Sequence, residues 1–242
     1  MIEGHSPKIL VIIPAFNEGP RVGAVVRSVY ALFPKASVLV IDDCSTDNTR
    51  EQALKAGALT VSHPFNLGYA SALETGYLYA VQHMYDIVVQ MDGDGQHIAE
   101  EINKILQPVL NHEADIVIGS RYKNKSVEGY RTPLTRRLGQ RFFSVIFWIL
   151  TRQRITDPTS GFQCLNRKAL ELYIKGDFPD DFPDADMLLL AHYSGLTVRE
   201  VSVRMVERSE GVSMHAGWKP VYYVLKMLLS MFMVSLNYRK MR

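Results

Sequence analysis

Short β-branched runs alternate with longer segments of helical periodicity through about the first 120 residues, and this alternation most constrains the fold. Runs without polar alternation are typical of strands buried on both faces of a sheet. The predicted strands span residues 9–13, 37–41, 59–62, 87–91 and 115–119, and the predicted helices span 20–32, 46–56, 69–83 and 99–111. The sequence therefore predicts an α/β fold with a mostly parallel sheet flanked by helices.

Clusters of polar residues follow four of these predicted strands. They are P-A-F-N-E at 14–18, D-D-C-S-T-D at 42–47, D-G-D-G-Q-H at 92–97 and G-S-R at 119–121. In open parallel sheets, ligands bind in the crevice beyond the carboxyl ends of the strands. The four clusters are therefore predicted to converge on one crevice.

Asp92 and Asp94 flank a glycine at a strand exit. Two carboxylates at this spacing can share Mg²⁺ or Mn²⁺, which keeps open positions for phosphate oxygens, and Gln96 can help to hold the metal or its waters. Aspartate and glycine are also common in ordinary turns, so the motif gains meaning from its position in the sheet. His97 is open to two interpretations, as a support of this motif or as a core or capping residue.

Asp42 and Asp43 end the second predicted strand. A carboxylate in this position can accept hydrogen bonds from the base or ribose of a nucleotide. Asp47 is assigned instead to capping the helix that follows. Glu18 and the backbone around it are expected to border the same nucleotide.

Composition excludes several classes of protein. The apolar fraction of 47% and the net charge of +2 argue against disorder, and 27 basic against 25 acidic residues argue against nucleic-acid binding driven by charge. Two cysteines in 242 residues argue against a disulfide scaffold and suit a reducing compartment. The phosphate-binding loop of ATPases and the G-x-G-x-x-G fingerprint of dehydrogenases are both missing from the sequence.

Two apolar segments are flanked by basic residues. Residues 221–236 precede Arg239, Lys240 and Arg242, and residues 142–150 follow Arg136, Arg137 and Arg141. Both fall short of the roughly 20 residues that span a bilayer. They fit helices that lie in a membrane interface, and the alternative is that both are core helices. A cytoplasmic protein associated peripherally with the membrane is expected.

The ordered motifs V-I-I-P-A-F-N-E, V-I-D-D-C-S-T-D, N-L-G, M-D-G-D-G-Q-H, G-S-R-Y and D-P-T-S-G-F resemble those of glycosyltransferase family 2. Over residues 8–215, the pattern is similar to polyprenyl-phosphate glycosyltransferases of the dolichol-phosphate-mannose synthase type. The resemblance implies a Rossmann-like GT-A domain over residues 1–217, followed by a helical extension over 218–242. It also implies inverting transfer of a hexosyl group from a UDP- or GDP-sugar to polyprenyl phosphate, with Mg²⁺ or Mn²⁺ as cofactor.

The same resemblance assigns roles to individual residues. The nucleotide would contact Pro14, Ala15, Glu18, Asp42, Asp43 and Asp92, and the metal and diphosphate would contact Asp92, Asp94 and Gln96. The acceptor phosphate would meet Arg121 and Arg137, although Arg141 stands where such relatives often carry serine. The loop over the diphosphate would contain Arg208, Gly211 and Ser213. The catalytic assignments are Asp94, Arg208 and Asp186, with Asp184 as the rival of Asp186.

Three alternatives remain at this stage. A family 2 enzyme that extends a polysaccharide or glycolipid on a sugar hydroxyl would need a base, and Asp186 would then be essential. A catalytically silent nucleotide-sugar-binding subunit would not need the intact D-G-D and R-x-x-G-x-S motifs. A sugar nucleotidyltransferase would need a glycine-rich basic loop that is missing. A small membrane-protein partner and self-association are further expectations, whereas nucleic acid is not an expected partner.

Overall fold

A computed structural model describes residues 6–123, 134–175, 183–206 and 219–241. Within these residues a single seven-stranded sheet has the order β3-β2-β1-β4-β6-β5-β7. All neighbouring strands are parallel except β6, which is antiparallel to both β4 and β5. The strands are β1 (Ile9–Ala15), β2 (Ser37–Asp42), β3 (Leu59–Ser62), β4 (Ile87–Gln90), β5 (Ile116–Ser120), β6 (Gln163–Asn166) and β7 (Val198–Ser202).

Helices cover both faces of the sheet. They are α1 (Gly19–Leu32), α2 (Thr49–Lys55), α3 (Tyr69–Gln82), α4 (Ile102–Leu110), α5 (Leu134–Thr151), α6 (Arg167–Lys175), α7 (Ala185–Tyr193) and α8 (Lys219–Met241). Alternate residues of each central strand point into different cores, so Leu10 and Ile12 pack with α3 and α5–α8, whereas Val11 and Ile13 pack with α1, α2 and α4.

The five predicted strands and four predicted helices are confirmed. Their ends move by a few residues: β1 continues through Pro14, and the last predicted helix opens with a 3₁₀ turn over Ala99–Glu101. The sheet is mostly parallel, as predicted. The antiparallel strand β6 was not predicted, because its four residues, Q-C-L-N, mix polar and apolar side chains.

Strand β6 brings an additional segment to the crevice. Its first residue, Gln163, pairs with Gln90 at the end of β4 and with Ile118 near the end of β5. An antiparallel strand begins at the edge where its parallel neighbours end. The turn over residues 157–161, which precedes β6, therefore lies beside the 92–97 and 119–121 clusters.

Helix α8 belongs to the same core as the sheet and also exposes a large apolar surface. Met227 and Met231 are buried against the first core, and the Ser230 hydroxyl donates a hydrogen bond to Asp186 of α7. The opposite face exposes a stripe with three- and four-residue spacing: Tyr222, Leu225, Leu229, Phe232 and Leu236. The predicted C-terminal helix thus packs on the protein through one face only.

Gly119 of β5 should be intolerant of a side chain. An added Cβ would lie 2.8 Å from the Phe162 ring and 3.0 Å from Val203. Overpacking of a filled core costs about 1–3 kcal/mol, so Gly119→Ala should lower the free energy of unfolding by that amount in urea denaturation.

Gly139→Ala in α5 is the matched control, because its added Cβ would have no atom of the described residues within 4 Å apart from the helix's own backbone and its chain neighbours. Alanine is the better helix former by about 1 kcal/mol, so this variant should be as stable as the wild type or more stable. Equal stability of the two variants would contradict the packing described here.

Candidate functional site

The ends of β1 and β2 are joined into one rigid border of the crevice. The Asp43 amide donates to the Ala15 carbonyl at 2.9 Å, and the Asn17 amide donates to the Ser45 hydroxyl at 2.9 Å. The Thr46 amide returns a hydrogen bond to the Asn17 side chain at 2.9 Å. Two of the five predicted nucleotide-binding positions in these segments, Ala15 and Asp43, are thus directly linked.

Two non-glycine residues of this border adopt left-handed backbone conformations. Asn17 has φ 56° and Cys44 has φ 60°. Asparagine tolerates this region well, whereas a cysteine there is strained. Cys44 is partly buried, and its Sγ lies 3.7 Å from the Pro64 carbonyl oxygen. Cys44 therefore has a strained backbone between Asp43 and Ser45, and its thiol lies beside Pro64.

The Asp43 carboxylate organises the loop that precedes α3. It accepts hydrogen bonds from the Leu67 and Gly68 amides, both at 2.8 Å, and one oxygen lies 2.8 Å from Nδ1 of His63. The other His63 nitrogen lies 3.0 Å from the Thr75 hydroxyl. Gly68 has φ 93°, which explains the glycine of the N-L-G motif. The structural role of His63 was missed, because its partners lie 12 and 20 residues away in the sequence.

The other acidic residues of this border are also held by the protein. Asp42 accepts a hydrogen bond from the Ser45 amide at 3.1 Å, and Glu18 pairs with Arg21 at 2.7 Å. Both acids are buried, although the Asp42 side chain lines a groove together with residues 45–48. The structure therefore places Asp42 and Glu18 at the crevice with part of their hydrogen-bonding capacity already used.

The capping role predicted for Asp47 is confirmed and extends to a second helix. One carboxylate oxygen accepts the Thr49 amide of α2 at 2.9 Å, and the other accepts the Gly19 amide of α1 at 3.0 Å. Partial burial acts to raise the pKa of Asp47, but these hydrogen bonds outweigh it and the pKa lies below its ordinary value. One aspartate thus satisfies the amino termini of two helices.

The 92–97 turn places the predicted metal residues together after β4. The Asp94 carboxylate accepts hydrogen bonds from the Gln96 amide at 3.0 Å and from its side chain at 2.6 Å. The Asp92 side chain is 33% exposed. A Cβ at Gly93 would lie 3.4 Å from both Ala15 and the Pro14 carbonyl, so β1 and this turn are in close contact. The 14–18 and 92–97 clusters therefore converge as predicted.

His97 holds the turn that begins at Asp92 through a hydrogen bond and a ring contact. Its Nδ1 accepts the Asp92 amide at 2.9 Å, and its ring stacks on Phe162 with 4.9 Å between centroids. Burial lowers the pKa of His97 against the opposing charges of Asp92 and Asp94. A neutral imidazole with its proton on Nε2 is consistent with these contacts. His97 is accordingly a buried support of the motif.

The donor set of the 92–97 turn suits a hard divalent cation that is shared with a ligand. Within the described residues, no group of three or more histidine, cysteine, aspartate and glutamate side chains is arranged to hold a metal. Asp92 and Asp94 supply two partly exposed carboxylates. Mg²⁺ is commonly bound by one or two carboxylates together with substrate phosphates, and these residues fit that pattern.

Arg121 forms a buried ion pair with Asp157. Its Nε and Nη2 atoms donate to the two Asp157 oxygens at 2.9 and 3.1 Å. The Arg121 side chain is 8% exposed and that of Asp157 is 0% exposed. The Gln140 side chain of α5 donates to the same carboxylate at 3.3 Å. The structure thus ties Arg121, predicted to bind the acceptor phosphate, to an internal partner.

Glu200 of β7 anchors the D-P-T-S-G-F turn from the other side. Its carboxylate accepts the Thr156 and Asp157 amides, both at 2.8 Å. Burial raises the pKa of Glu200 in spite of these hydrogen bonds. Ser160 adds a bond to the Gly119 carbonyl at 2.6 Å. These hydrogen bonds give the D-P-T-S-G-F turn a structural role.

Asp186 is enclosed between α7 and α8. It is 1% exposed and accepts hydrogen bonds from the Asp184 amide at 3.1 Å, the Met187 amide at 2.8 Å and the Ser230 hydroxyl. Burial raises the pKa of Asp186 although these bonds oppose the change. Its rival Asp184 lies close enough to Tyr69 and Tyr77 to raise the pKa of both, after the larger effect of burial.

The remaining predicted residues lie at the rim or beyond the described chain. Arg137 is exposed on the first turn of α5. Arg208, Gly211 and Ser213 lie outside the described residues. Val206 is the last residue before that segment, and its amide donates to the Gln96 carbonyl at 3.1 Å. The chain therefore leaves the described part of the structure beside the 92–97 turn.

The Arg121–Asp157 pair should contribute strongly to stability. Removing one partner of a buried ion pair leaves an uncompensated charge and costs about 3–5 kcal/mol. Asp157→Ala and Arg121→Ala should each lower the free energy of unfolding by that amount. The double variant should cost much less than the sum, as measured in a double-mutant cycle by urea denaturation. Additive losses would contradict a direct interaction between the two charges.

A glycosyltransferase family and two enzymes of similar sequence each match most of this chain. Residues 10–173 match the family Glycosyl transferase family 2. The chain is 28% identical to UDP-N-acetylglucosamine–dolichyl-phosphate N-acetylglucosaminyltransferase of Methanococcus voltae, over 91% of this chain and 95% of that protein. It is 29% identical to polyprenol monophosphomannose synthase of Mycolicibacterium smegmatis, over 87% and 82% of the respective chains.

The fold is also found among solved structures. Glucosyl-3-phosphoglycerate synthase from Mycobacterium tuberculosis, solved with Mn²⁺ and UDP-glucose, superimposes with a TM-score of 0.67 at 19% identity, over 95% of this chain and 79% of that chain. This likeness confirms the predicted GT-A-like fold. The family match covers most of the chain, including the 14–18, 42–47 and 92–97 clusters. The chain therefore belongs to glycosyl transferase family 2 and is a glycosyltransferase that uses a nucleotide-sugar donor.

Proposed function

We propose that this enzyme transfers a hexosyl group, with inversion, from a UDP- or GDP-sugar to polyprenyl phosphate at a membrane surface. The observation that carries the proposal is the position of Arg137, which is exposed on α5. Arg137 lies three residues before Gln140, and the Gln140 side chain contacts Asp157 at the crevice. An exposed apolar stripe begins beside it on the same helix. A phosphate group and a lipid chain on one acceptor match that combination of charge and apolar surface.

The donor side of the proposal rests on the 92–97 turn. Asp92 and Asp94 would hold Mg²⁺ or Mn²⁺, and Gln96 keeps the Asp94 carboxylate in place through two hydrogen bonds. When bound, the metal supplies positive charge that stabilises the departing diphosphate. Relatives that act on dolichyl phosphate, and a solved structure with Mn²⁺ and UDP-glucose, support this proposal.

The crevice border positions the donor. Hydrogen bonds between the ends of β1 and β2 hold the predicted nucleotide-binding residues at one edge of the sheet. The residues that would surround the base and ribose are Pro14, Ala15, Glu18, Asp42 and Asp43. Arg208 follows Val206 by two residues in the sequence, and the Val206 amide donates to the Gln96 carbonyl at 3.1 Å. In the proposed mechanism, Arg208 stabilises the leaving nucleoside diphosphate, and Gly211 and Ser213 complete that loop.

The acceptor side requires positioning more than proton transfer. A phosphate monoester is already ionised near neutral pH, so it can attack without a general base. Arg137 would bind its charge, and Arg121 would contribute from its anchored position beside Asp157. Enclosure of Asp186 between α7 and α8 favours a phosphate acceptor over a sugar hydroxyl, because a hydroxyl would need an accessible base.

The membrane surface would be met by α5 and α8, which both pack against α7. Residues 134–154 and 219–242 each contain five basic residues and no acidic residue. The exposed stripe of α5 consists of Leu138, Phe142, Val145 and Ile149. Within the described part of the chain, no helix combines the length and apolarity that crossing a bilayer requires. Helices of this kind bind in the interface of anionic membranes. The catalytic domain over 1–217 and the docking helix over 218–242 are part of this proposal.

Transfer to polyprenyl phosphate is expected in a direct assay. Purified protein, Mn²⁺ and a panel of UDP- and GDP-sugars with undecaprenyl phosphate should yield a hexosyl-phosphoprenol, detected by mass spectrometry. Asp94→Asn and EDTA should each abolish the product, because both remove the metal from the diphosphate, and the variant should keep the wild-type unfolding temperature.

The same assay distinguishes the two acceptor classes. Asp186→Asn should retain transfer to undecaprenyl phosphate, because no base is required. Transfer only to sugar hydroxyls, with loss of activity in Asp186→Asn, would instead support a polysaccharide- or glycolipid-extending enzyme. Full activity in metal-free protein would refute the metal assignment.

Vesicle flotation tests the membrane surface. Leu229→Glu and Phe142→Glu place charges on exposed positions of the two stripes, and each should reduce binding to anionic vesicles by about tenfold or more, since a buried apolar side chain contributes about 1.5–3 kcal/mol. Point variants are preferable to truncation, because Met227 and Met231 belong to the core. Leu32→Glu, equally exposed on α1 across the sheet, is the matched control and should bind like the wild type.

If the wild-type protein does not float with anionic vesicles, direct docking is wrong and a membrane-protein partner or self-association must cover these stripes. If only Phe142→Glu loses binding, α5 alone is the anchor.

A further inference from the structure

A chain of buried and partly buried hydrogen bonds ends at Asp92. The Tyr69 hydroxyl of α3 donates to Oδ1 of Asp92 at 3.1 Å. The Gln90 side chain of β4 donates to the Tyr69 oxygen at 3.1 Å, and the Tyr77 hydroxyl donates to the Gln90 carbonyl oxygen. Gln90 and Tyr77 are each 2% exposed. The Asp92 carboxylate is therefore connected to two rigid elements of the fold.

The donors and acceptors of this chain can be arranged in one order only. The Asp92 carboxylate can only accept, so the Tyr69 hydroxyl must donate to it. The Tyr69 oxygen then accepts from the Gln90 amino group, which turns the Gln90 carbonyl oxygen toward Tyr77. A buried amide with both ends occupied cannot turn over without losing two hydrogen bonds. Tyr69 is thereby held as a donor to Asp92.

Gly161 of the D-P-T-S-G-F turn provides the space for this contact. A Cβ at Gly161 would lie 2.8 Å from the Tyr69 hydroxyl and 3.5 Å from Oδ1 of Asp92. Any side chain there would push Tyr69 away from the carboxylate. Two motifs that are 69 positions apart in the sequence thus meet at one hydrogen bond.

We propose that Tyr69 is a positioning residue for the donor site. It restrains one oxygen of Asp92, so that the carboxylate presents a fixed orientation to the metal and diphosphate. Gln90 and Tyr77 hold Tyr69 in place, and Gly161 leaves room for it. This inference rests on the proposed function, because it assumes that Asp92 binds the metal of the donor complex.

Tyr173 provides a matched comparison. It is a buried tyrosine, whereas Tyr69 is partly buried, and the Tyr173 ring lies 5.8 Å from that of Tyr77. Its hydroxyl has no hydrogen-bond partner within the described residues. The core therefore accommodates a buried tyrosine whose hydroxyl makes no hydrogen bond to the described residues. Tyr173→Phe removes the same atom as Tyr69→Phe without touching Asp92.

The decisive measurement is Mn²⁺ affinity, titrated in the presence of UDP or GDP and followed by calorimetry. Supporting partners of metal ligands commonly change metal affinity by about 10–100-fold, so Tyr69→Phe should weaken Mn²⁺ binding by about tenfold or more. Tyr173→Phe should bind Mn²⁺ like the wild type. Both variants should remain folded and keep wild-type nucleotide affinity in EDTA, and Tyr69→Phe should have a lower unfolding temperature because the Gln90 amino group loses its acceptor.

Gly161→Ala provides a second route to the same contact. It leaves every hydroxyl in place but displaces Tyr69, and it should therefore weaken Mn²⁺ binding as Tyr69→Phe does. Wild-type Mn²⁺ affinity in folded Tyr69→Phe, or in Gly161→Ala where Tyr69→Phe does not fold, would overturn the positioning role alone. A wild-type protein that binds no Mn²⁺ with either nucleotide would overturn the proposed function and this inference together.

Discussion

Pairing of the four-residue strand β6 between two strands that run against it is the constraint on which the site depends. Without it, β4 and β5 would not belong to one sheet, and the turn over 157–161 would not reach the carboxyl edge. That turn carries the buried Asp157 carboxylate, which accepts hydrogen bonds from the side chains of Arg121 and Gln140, whereas Glu200 accepts the Asp157 amide. A short stretch of backbone pairing thus determines where several charged groups must lie.

The crevice contains many carboxylates, but they differ in how much of their hydrogen-bonding capacity the protein itself uses. Asp43 and Asp47 accept backbone amides with both oxygens, and Asp157 is enclosed with a guanidinium. These acids hold loops and helix ends in place. Asp92 and Asp94 keep exposed surface while their neighbours restrain them. The acids of the crevice thus fall into two groups: Asp43, Asp47 and Asp157 hold the protein structure, and Asp92 and Asp94 can face a ligand.

Much of the fold was predictable because its signals are local. Buried parallel strands consist of continuous β-branched residues, and those runs located β1 to β5 within a few positions. Strand β6 has no such signal, since its pairing depends on neighbours 45–79 residues away. The motifs of the site were recognisable in order, and the resemblance named their family. The contacts of Tyr69, His63 and Asp186 could not be predicted, because each joins side chains that only the tertiary structure brings together.

The difference in burial between the two cysteines has a practical consequence for chemical labelling. The chain contains two cysteines, and Cys164 is fully buried, where burial raises the pKa of its thiol. A thiol reagent applied to the folded protein therefore has one accessible target, located between Asp43 and Ser45. A fluorophore or spin label attached there would stand at the crevice border without any engineered cysteine, and its signal would report directly on occupancy of the groove beside β2.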